Sequence, residues 1–518
     1  MHLRPRRAVL RALILPLCLL LGAVAAPAAS AAGTPRPGRF ADLDAYIQDR
    51  MEATHTPGLA YAVVGPDGPV HRRAWGTDGR GAPVTAETPF LWGSLSKPVA
   101  ATAAMVLVQD GRLGLDDRVA DHLPRFRFGG AGHASRVTVR DLLRHTAGLP
   151  ERAGFTVTDC FDADCPGPAE RLSALDDVAP LGPPGSVYEY TSADYLILAA
   201  VVEAVTGRSF GDQLRASVLG PAGMDSAVTD QASARREELP PGHQLLWGRP
   251  AAVADGVDDD GAAYGYLGGD LDDLAAFAAL QLRSGTTADG AAVLTPDSVR
   301  LTRAEATLPD GTRTGYGMGW RTGGLDAPLD TAVWHTGATP GYSAALFLLP
   351  EQDTALVLQQ NLYGLLADEA VLQVAFGAAR ILAGGEAPAD APSASFYRAA
   401  VWGSTVLALA LLLAAVRSAL LLRRPAPSTL PRRVTLTFLW CLAGALPWGI
   451  AVPLLSRMSR DQLMTWVPDV TLALWAAVLA GAATAVLRLV LAFRAPPLRR
   501  GGTGRRAAGR ARQSFASA

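Results

Sequence analysis

The chain has 518 residues, of which 49% are hydrophobic and 18% charged, and its formal net charge at pH 7 is −1. This near-neutral balance argues against a nucleic-acid partner, and the length allows one large domain together with a smaller region. The 47 basic residues include a single lysine, Lys97; all the others are arginine.

The N-terminus has the pattern of an export signal. Arginines precede an apolar stretch at residues 13–26, and Ala29-Ser30-Ala31 forms a cleavage site of small residues. We therefore predict a signal peptide over residues 1–32 and place the following residues outside the cytoplasm. The general secretory route and the twin-arginine route both remain open, as does an uncleaved N-terminal anchor.

Residues 33–383 have the pattern of a mixed α and β domain. Residues 59–64 predict a buried strand, whereas residues 97–109 and 195–205 predict apolar helices. Late in the domain, three β-rich stretches with short connections predict an antiparallel meander: residues 331–335, 343–349 and 354–360. Strands at both ends with helices between them predict a single domain closed by pairing of its terminal strands.

The segment around Lys97 contains a candidate nucleophile, Ser94. Ser94 and Lys97 are separated by three positions at a predicted helix start, and this spacing places two side chains on one helix face. A serine hydroxyl is a weak nucleophile until a nearby base takes its proton, which a desolvated lysine can do and an arginine cannot. The only lysine therefore lies where deprotonation is needed; a surface lysine at this spacing by chance is the alternative.

Two of the four cysteines, Cys160 and Cys165, belong to the large domain. In an exported domain, such a closely spaced pair predicts a disulfide. A metal site is the alternative, because three aspartates lie in the same stretch. The spacing is not that of a zinc knuckle and no histidine is near in sequence, so we expect no metal and no cofactor.

The C-terminal part of the chain has the pattern of a membrane region. A linker rich in Ala and Pro at residues 384–398 precedes three transmembrane helices within residues 399–493, each long enough to cross a bilayer: residues 399–416, 434–455 and 470–487. Arginines cluster after the first stretch and in the basic tail at residues 494–518. The positive-inside rule therefore predicts a cell-membrane protein with a cytoplasmic tail and an extracytoplasmic large domain. Few polar residues lie centrally in these stretches, which argues against transport.

Several motifs occur in the order that is typical of one enzyme family. They are Ser94-x-x-Lys97, the LLRHTAGL segment at residues 142–149, Tyr190-Thr191-Ser192, the YGMGW segment at residues 316–320 and His335-Thr336-Gly337. Together they resemble the class C β-lactamases and penicillin-binding-protein-like serine hydrolases, including related esterases and D-amino-acid peptidases. The resemblance implies an α/β fold: a β-lactamase-like antiparallel sheet flanked by helices with an all-helical insertion, followed here by three transmembrane helices.

The resemblance also implies a role for each matching residue. Ser94 would be acylated, Lys97 would accept its proton, and Tyr190 would assist as base or acid. The backbone N–H groups of Ser94 and Ala338 would form the oxyanion hole. The substrate would be bound by the residues of the other two motifs, which are Ser192, His335, Thr336 and Gly337. A matching histidine, His145, is expected to form buried structural hydrogen bonds.

Two departures from the family pattern concern the substrate. Ser192 replaces an asparagine, and His335 replaces a lysine whose fixed charge holds a substrate carboxylate. A histidine with an ordinary pKa of about 6.5 is mostly neutral at neutral pH, so we expect carboxylate-bearing substrates to bind better as the pH falls. Both departures disfavour β-lactams and favour esters, amides or D-amino-acid peptides.

The expected function is that of a membrane-anchored extracytoplasmic serine hydrolase acting through an acyl-enzyme. We expect a small-molecule or peptide substrate, with cell-wall fragments among the candidates, and the lipid bilayer as a partner. A poor β-lactamase activity is predicted. The alternative is a catalytically weak penicillin-binding or sensor protein that signals through its membrane spans.

Overall fold

The computed structural model describes residues 39–162, 164–253, 256–390, 393–424 and 430–494. The predicted signal peptide at residues 1–32 and the tail beyond Arg494 lie outside these residues. The described chain contains these strands: β1 Gly58–Gly65, β2 Gly68–Gly76, β3 Phe90–Leu91, β4 Gly242–Leu246, β5 Arg249–Val253, β6 Gly268–Gly269, β7 Arg321–Thr322, β8 Val333–Thr339, β9 Tyr342–Leu349 and β10 Thr354–Gln360.

Helices make up most of the rest of the described chain. The α-helices are α1 Arg39–Thr54, α2 Ser96–Gln109, α3 Val119–His122, α4 Ala131–Ala134, α5 Val139–Leu143, α6 Arg152–Val157, α7 Pro168–Arg171, α8 Ser192–Thr206, α9 Phe210–Leu214, α10 Gly220–Ala222, α11 Gln231–Arg236, α12 Leu271–Leu282, α13 Pro296–Arg303, α14 Asp368–Leu382, α15 Ser395–Leu421, α16 Leu430–Leu455, α17 Arg460–Trp466 and α18 Pro468–Phe493.

A six-stranded antiparallel sheet forms the centre of the large domain, in the order β2-β1-β10-β9-β8-β7. β1 pairs with β10, Leu59 lying opposite Gln360, so the predicted pairing of terminal strands is confirmed. The predicted meander is confirmed as well, because β8, β9 and β10 pair antiparallel in succession. Every residue of β1 and β9 is buried, as expected for strands covered on both faces.

The helical part of the domain is an insertion within the chain of the sheet. Between β3 and β4 the chain forms α2 to α11, which confirms the predicted all-helical insertion. α2 is apolar and mostly buried, and its hydrophobic residues belong to the same core as those of α8 and α12. The insertion and the sheet therefore share one core, and the residues at their junction have fixed positions.

Three helices, α15, α16 and α18, are long and apolar enough to cross a membrane. α15 begins at Ser395, four residues before the predicted start at residue 399, so it includes the last residues of the predicted linker. α16 and α18 approach closely at Gly444 and Gly481. A Cβ atom built on Gly444 would lie 2.5 Å from the carbonyl oxygen of Gly481, so only glycine permits this approach.

The large domain contacts one end of this three-helix bundle through the β4–β5 hairpin. Tyr397 at the start of α15 donates its hydroxyl to the Asp469 carboxylate at 2.7 Å, and the Trp247 backbone N–H donates to the same carboxylate at 3.0 Å. α17 lies at this end too, because it connects α16 to α18. Arg423 follows the opposite end of α15, about 39 Å away at 1.5 Å per helical residue.

Candidate active site

Ser94 lies in a short turn between β3 and α2. The preceding Trp92 is completely buried, and its indole N–H donates to the Gln359 side chain on β10 at 2.9 Å. This hydrogen bond fixes the turn to the central sheet. The α2 helix starts two residues later, at Ser96, so Lys97 faces back to Ser94 from the first helical turn.

Two glycines allow β8 to approach this turn. A Cβ atom on Gly93, whose φ is 58°, would lie 2.0 Å from the backbone nitrogen of Ala338. A Cβ atom on Gly337 would lie 2.5 Å from the backbone nitrogen of Ser94. Both distances are far below van der Waals contact, so a side chain at either position would push the strand away. The glycines therefore bring the backbone of Ala338 beside that of Ser94.

The Lys97 amino group is buried and has three hydrogen-bond partners. Nζ lies 3.0 Å from Ser94 Oγ, 3.2 Å from Ser192 Oγ and 2.8 Å from the Tyr264 carbonyl oxygen. Burial, assisted by the positive charge of Arg321, lowers the pKa of Lys97 from 10.5 to about 7, although Asp194 opposes the shift. A large fraction of the lysine is therefore neutral at neutral pH and can accept a proton.

Tyr190 lies beside Lys97 and lines the same cavity as Ser94. Its ring centre is 4.9 Å from Lys97 Nζ, and the Ser94 hydroxyl is close enough to lower the pKa of the phenol. Burial raises the pKa of Tyr190 to about 12, so the phenol keeps its proton at neutral pH. Of the two roles that the resemblance implies for Tyr190, donation of a proton fits this environment better than acceptance.

His335 does not have the titration behaviour that we predicted. Its Nδ1 donates to the Thr336 carbonyl at 2.6 Å, and its Nε2 lies 3.2 Å from the Tyr316 hydroxyl. Burial lowers the pKa of His335 well below 6.5, and the charges of Arg321 and Lys97 lower it further. The prediction that His335 becomes a carboxylate-binding cation as the pH falls is therefore wrong, because the imidazole stays neutral.

The cation beside the site is Arg321, which the sequence analysis missed. It lies on β7, and its guanidinium is 5.3 Å from the Tyr190 ring centre and 5.7 Å from that of Tyr316. An arginine keeps its charge at any physiological pH. The signal that could have revealed it is its position directly after the YGMGW segment, on the strand next to His335.

The predicted residues come together around one cavity of about 450 Å³. Its lining includes Ser94, Tyr190, Ser192, His335, Thr336, Gly337 and Ala338, together with Arg321. Lys97 lies below this surface, beneath the serine. A second group of lining residues was not predicted: Phe155, Asp159, Tyr264, Tyr266, Tyr363 and Trp466.

Two further features lie near the cavity. Cys160 and Cys165 are joined by a disulfide next to the lining residue Asp159. His145 Nδ1 lies 2.8 Å from Asp194 Oδ2, and both side chains are buried behind Tyr190. Burial lowers the pKa of His145 well below its usual value, as expected for a structural hydrogen bond in the core. Among the described residues, no group of His, Cys, Asp and Glu side chains could hold a metal ion.

Several curated proteins are similar to this chain in sequence. Penicillin-binding protein 4 of Amycolatopsis lactamdurans is 34% identical over 330 residues, covering 61% of this chain and 85% of that protein. The unguisins hydrolase ungD' of Aspergillus campestris is 25% identical over 64% of this chain, and Protein flp of Staphylococcus aureus is 24% identical over 62%. The matches span 62% of the length of each of these last two proteins.

Solved structures share the fold. The octameric penicillin-binding protein homologue from Pyrococcus abyssi has a TM-score of 0.56 at 21% identity, covering 70% of this chain and 81% of that one. SurE has a TM-score of 0.53 at 26% identity, with 68% and 78% covered. EstCE1, a hydrolase with promiscuous acyltransferase activity, has a TM-score of 0.53 at 22% identity, with 62% and 93% covered. The beta-lactamase family model matches residues 43–375, more than half of the chain, and the protein therefore belongs to the beta-lactamase family of serine hydrolases.

Proposed function

We propose that this protein is a membrane-anchored extracytoplasmic hydrolase that forms an acyl-enzyme on Ser94. The observation that carries the proposal is the 3.0 Å contact between Ser94 Oγ and the amino group of Lys97, whose pKa is about 7. Neutral Lys97 takes the hydroxyl proton while Ser94 Oγ bonds to the substrate carbonyl carbon. The backbone N–H groups of Ser94 and Ala338 stabilise the oxyanion that forms.

The second half of acylation needs a proton for the leaving group. Tyr190 donates its phenolic proton to the departing alcohol or amine as the carbon–heteroatom bond breaks, and Lys97 returns a proton to the phenolate. The pKa of about 12 for Tyr190 supports this role, because the phenol is protonated when the reaction begins. Water then attacks the ester on Ser94, which releases the acid and restores the serine.

The charges around the cavity support substrates that carry a carboxylate near the leaving group. Arg321 lies against Tyr190 and supplies the positive charge that His335 does not. Carboxylate binding is therefore possible at any physiological pH, which removes one of the two objections to β-lactams. The objection based on Ser192 stands, because the Ser192 side chain is short and its hydroxyl is hydrogen-bonded to Lys97. We therefore propose esters, amides and D-amino-acid peptides as substrates and a poor β-lactamase activity.

The location of the protein is part of the same proposal. Three apolar helices support membrane anchoring, and Arg423 and Arg424 follow the end of α15 that is remote from the large domain. Because loops rich in arginine are retained in the cytoplasm, the large domain is placed outside. The predicted export signal at residues 1–32 agrees with this orientation.

The proposal is tested by covalent labelling of the full-length protein in detergent. A fluorophosphonate probe is expected to modify the wild-type protein at Ser94 and to leave Ser94→Ala unlabelled. Ser173→Ala, which removes an exposed serine that does not line the cavity, is the matched control and is expected to label normally. Turnover is then compared for a short-chain ester, a D-Ala-D-Ala peptide and a chromogenic β-lactam. A folded wild-type protein that neither labels nor turns over any of these would refute the proposal.

One observation favours the sensor alternative as a second candidate. The Gln462 side chain of α17 donates a hydrogen bond to the Phe155 carbonyl at 2.7 Å. The membrane region is therefore hydrogen-bonded to a residue that lines the cavity. An acylated site could therefore influence the helices. This candidate requires a long-lived acyl-enzyme, and mass spectrometry after a single addition of a β-lactam distinguishes it: the adduct would persist for hours in a sensor and disappear within seconds to minutes in a hydrolase.

A further inference from the structure

One wall of the catalytic cavity comes from the membrane region. Trp466, the last residue of α17, lines the same cavity as Ser94. Its indole N–H donates to Asp159 Oδ2 at 2.9 Å, and the neighbouring Thr465 carbonyl accepts a hydrogen bond from Gln244. The connection between the second and third apolar helices is thus joined by hydrogen bonds to the large domain, at the cavity that Ser94 lines.

The carboxylate of Asp159 is well supplied with hydrogen-bond donors but has no cation. Oδ1 accepts from the Tyr266 hydroxyl at 2.8 Å and Oδ2 accepts from Trp466. In the part of the chain that the structure describes, no arginine or lysine forms an ion pair with Asp159. The nearby Arg171 is engaged by Asp258, with nitrogen–oxygen distances of 2.7 and 2.9 Å.

A carboxylate out of bulk water usually has a positive partner, because desolvating an unpaired charge is costly. The walls around Asp159 are aromatic, and aromatic faces attract cations. The aromatic lining at this end of the cavity consists of Phe155, Tyr264, Tyr266, Tyr363 and Trp466. A carboxylate within an aromatic lining has the chemistry that binds an ammonium group, and an incoming substrate can supply the missing cation.

The position of Asp159 indicates which part of the substrate carries that ammonium group. Arg321 lies against Tyr190, which serves the leaving group in the proposed mechanism. Asp159 instead receives its hydrogen bonds from Tyr266 and Trp466, and its own backbone N–H donates to the Tyr264 hydroxyl at 3.0 Å. Arg321 and Asp159 therefore contact different residues of the cavity lining, so a cationic group bound at Asp159 is separate from the leaving-group carboxylate assigned to Arg321.

We propose that Asp159, positioned by Trp466 and Tyr266, binds the protonated amino group of the substrate's acyl portion. The substrates preferred by this enzyme would then be aminoacyl esters and amides, or peptides with a free N-terminus. This inference rests on the proposed function of Ser94 and specifies its substrate. It also gives Trp466 of the membrane region a positioning role in substrate selection.

The proposal has a pH dependence that can be separated from that of catalysis. The ionisable groups that act on Asp159 are Tyr264, Tyr266, Asp258 and Arg171, and the carboxylates of Glu151 and Asp368 line the same cavity. Burial raises the pKa of Asp159 to about 6, while the hydrogen bonds from Trp466 and Tyr266 oppose the rise. Asp159 is charged above this pH and neutral below it, so the preference for an amino group is lost as the pH falls through about 6. Lys97 affects both substrates alike, so the fall of the ratio below about pH 6 reports on Asp159, whereas a fall above about pH 7.7–8.0 reports loss of the proton from the substrate's own amino group.

The test measures kcat/KM of the full-length protein in detergent for D-alanine p-nitrophenyl ester and its N-acetylated form. We expect the wild-type protein to prefer the free amine, and Asp159→Asn to reduce the ratio by about 10- to 100-fold, the scale of a lost charge-assisted interaction. Asp162→Asn removes an exposed charge from the same loop and is expected to keep the wild-type ratio. An unchanged ratio in folded Asp159→Asn would overturn the inference.

A second variant tests the positioning role of Trp466. Trp466→Phe keeps an aromatic ring but removes the N–H, so the pKa of Asp159 is expected to rise and the pH midpoint of the ratio to shift upward. A residue that only tethers two parts of the chain would leave the midpoint unchanged, and that result would overturn the role of Trp466. A wild-type protein that hydrolyses neither ester nor p-nitrophenyl butyrate would contradict the proposed function instead. Thermal melting confirms folding, and Trp466→Phe carries the test if Asp159→Asn does not fold.

Discussion

Replacing Lys97 tests the proposed mechanism most directly. An ordinary lysine with a pKa of about 10.5 is neutral in about one molecule in three thousand at pH 7, whereas a pKa of about 7 makes about half of the molecules neutral. Arginine, with a pKa above about 12, is neutral in fewer than about one molecule in 100,000. Lys97→Arg should therefore lose general-base catalysis while it keeps a positive charge, and acylation should slow by about 100-fold or more.

Two variants are needed because the lysine side chain is completely buried. Arginine is larger, and overpacking a buried position costs about 1–3 kcal/mol of unfolding free energy. Lys97→Met has a similar shape and no charge, so it should fold while being equally unable to accept a proton. Ser192→Ala removes one hydrogen-bond partner of Lys97 but leaves the base in place, and it serves as the control with a smaller loss.

The assay is the burst of p-nitrophenol released from a p-nitrophenyl ester in a stopped-flow experiment, with thermal melting of each variant. In the wild-type protein the burst rate should rise with pH through about 7, because Lys97 is an active base only when neutral and burial has lowered its pKa to about 7. Both variants at Lys97 should lack this rise. A near-normal burst in folded Lys97→Met, or a wild-type burst rate independent of pH between about 5 and 9, would refute the proposed base.

Three other outcomes follow from the same structure. Arg321→Gln should raise KM for carboxylate-bearing esters by about 10-fold relative to neutral esters; it should also move the pH midpoint of acylation upward, because Arg321 helps to lower the pKa of Lys97. Equal KM changes for both kinds of ester would count against this role. Gly337→Ala should reduce kcat by about 100-fold, since the new Cβ atom would lie 2.0 Å from the Trp92 carbonyl oxygen; normal turnover in a folded variant would contradict the proposed oxyanion geometry. A reporter fused after Ser393 should be extracytoplasmic and one fused after Arg512 cytoplasmic, and the reverse at either position would invert the proposed topology.

The parts of the site that depend on local spacing could be predicted from the sequence. Ser94 and Lys97 contact each other because residues three positions apart share a helix face. The pairing of β1 with β10 follows from strand-like stretches at both ends of one domain. The disulfide between Cys160 and Cys165 follows from their close spacing in a segment that the sequence predicts to be exported. The first and third of these predictions need no distances between distant parts of the chain, whereas the strand pairing is a long-range contact that was inferred from the order of the strands.

The remaining features depend on burial and on distant contacts. From the sequence alone, His335 is expected to titrate near neutral pH. Its pKa is lowered by burial and by the charge of Arg321, and neither can be read from the local sequence. Arg321 is one of many arginines, and its distinction is the position of its guanidinium over the rings of Tyr190, Tyr316 and Trp334. Trp466 contacts Asp159 across 307 positions of sequence, and this contact depends on how the apolar helices dock on the domain. No local pattern encodes such a contact.

The attachment of α17 also fixes how far the catalytic cavity lies from the start of α18. Only Val467 separates Trp466 from Pro468, where α18 begins, and two residues of chain span at most about 7 Å. A domain held only by a flexible linker of about 11 residues would drift over about 18 Å. If α18 crosses the bilayer as proposed, the cavity instead stays at one depth in the solvent layer next to the membrane. Molecules attached to that surface then meet the enzyme at an effective concentration set by geometry rather than by their abundance in solution.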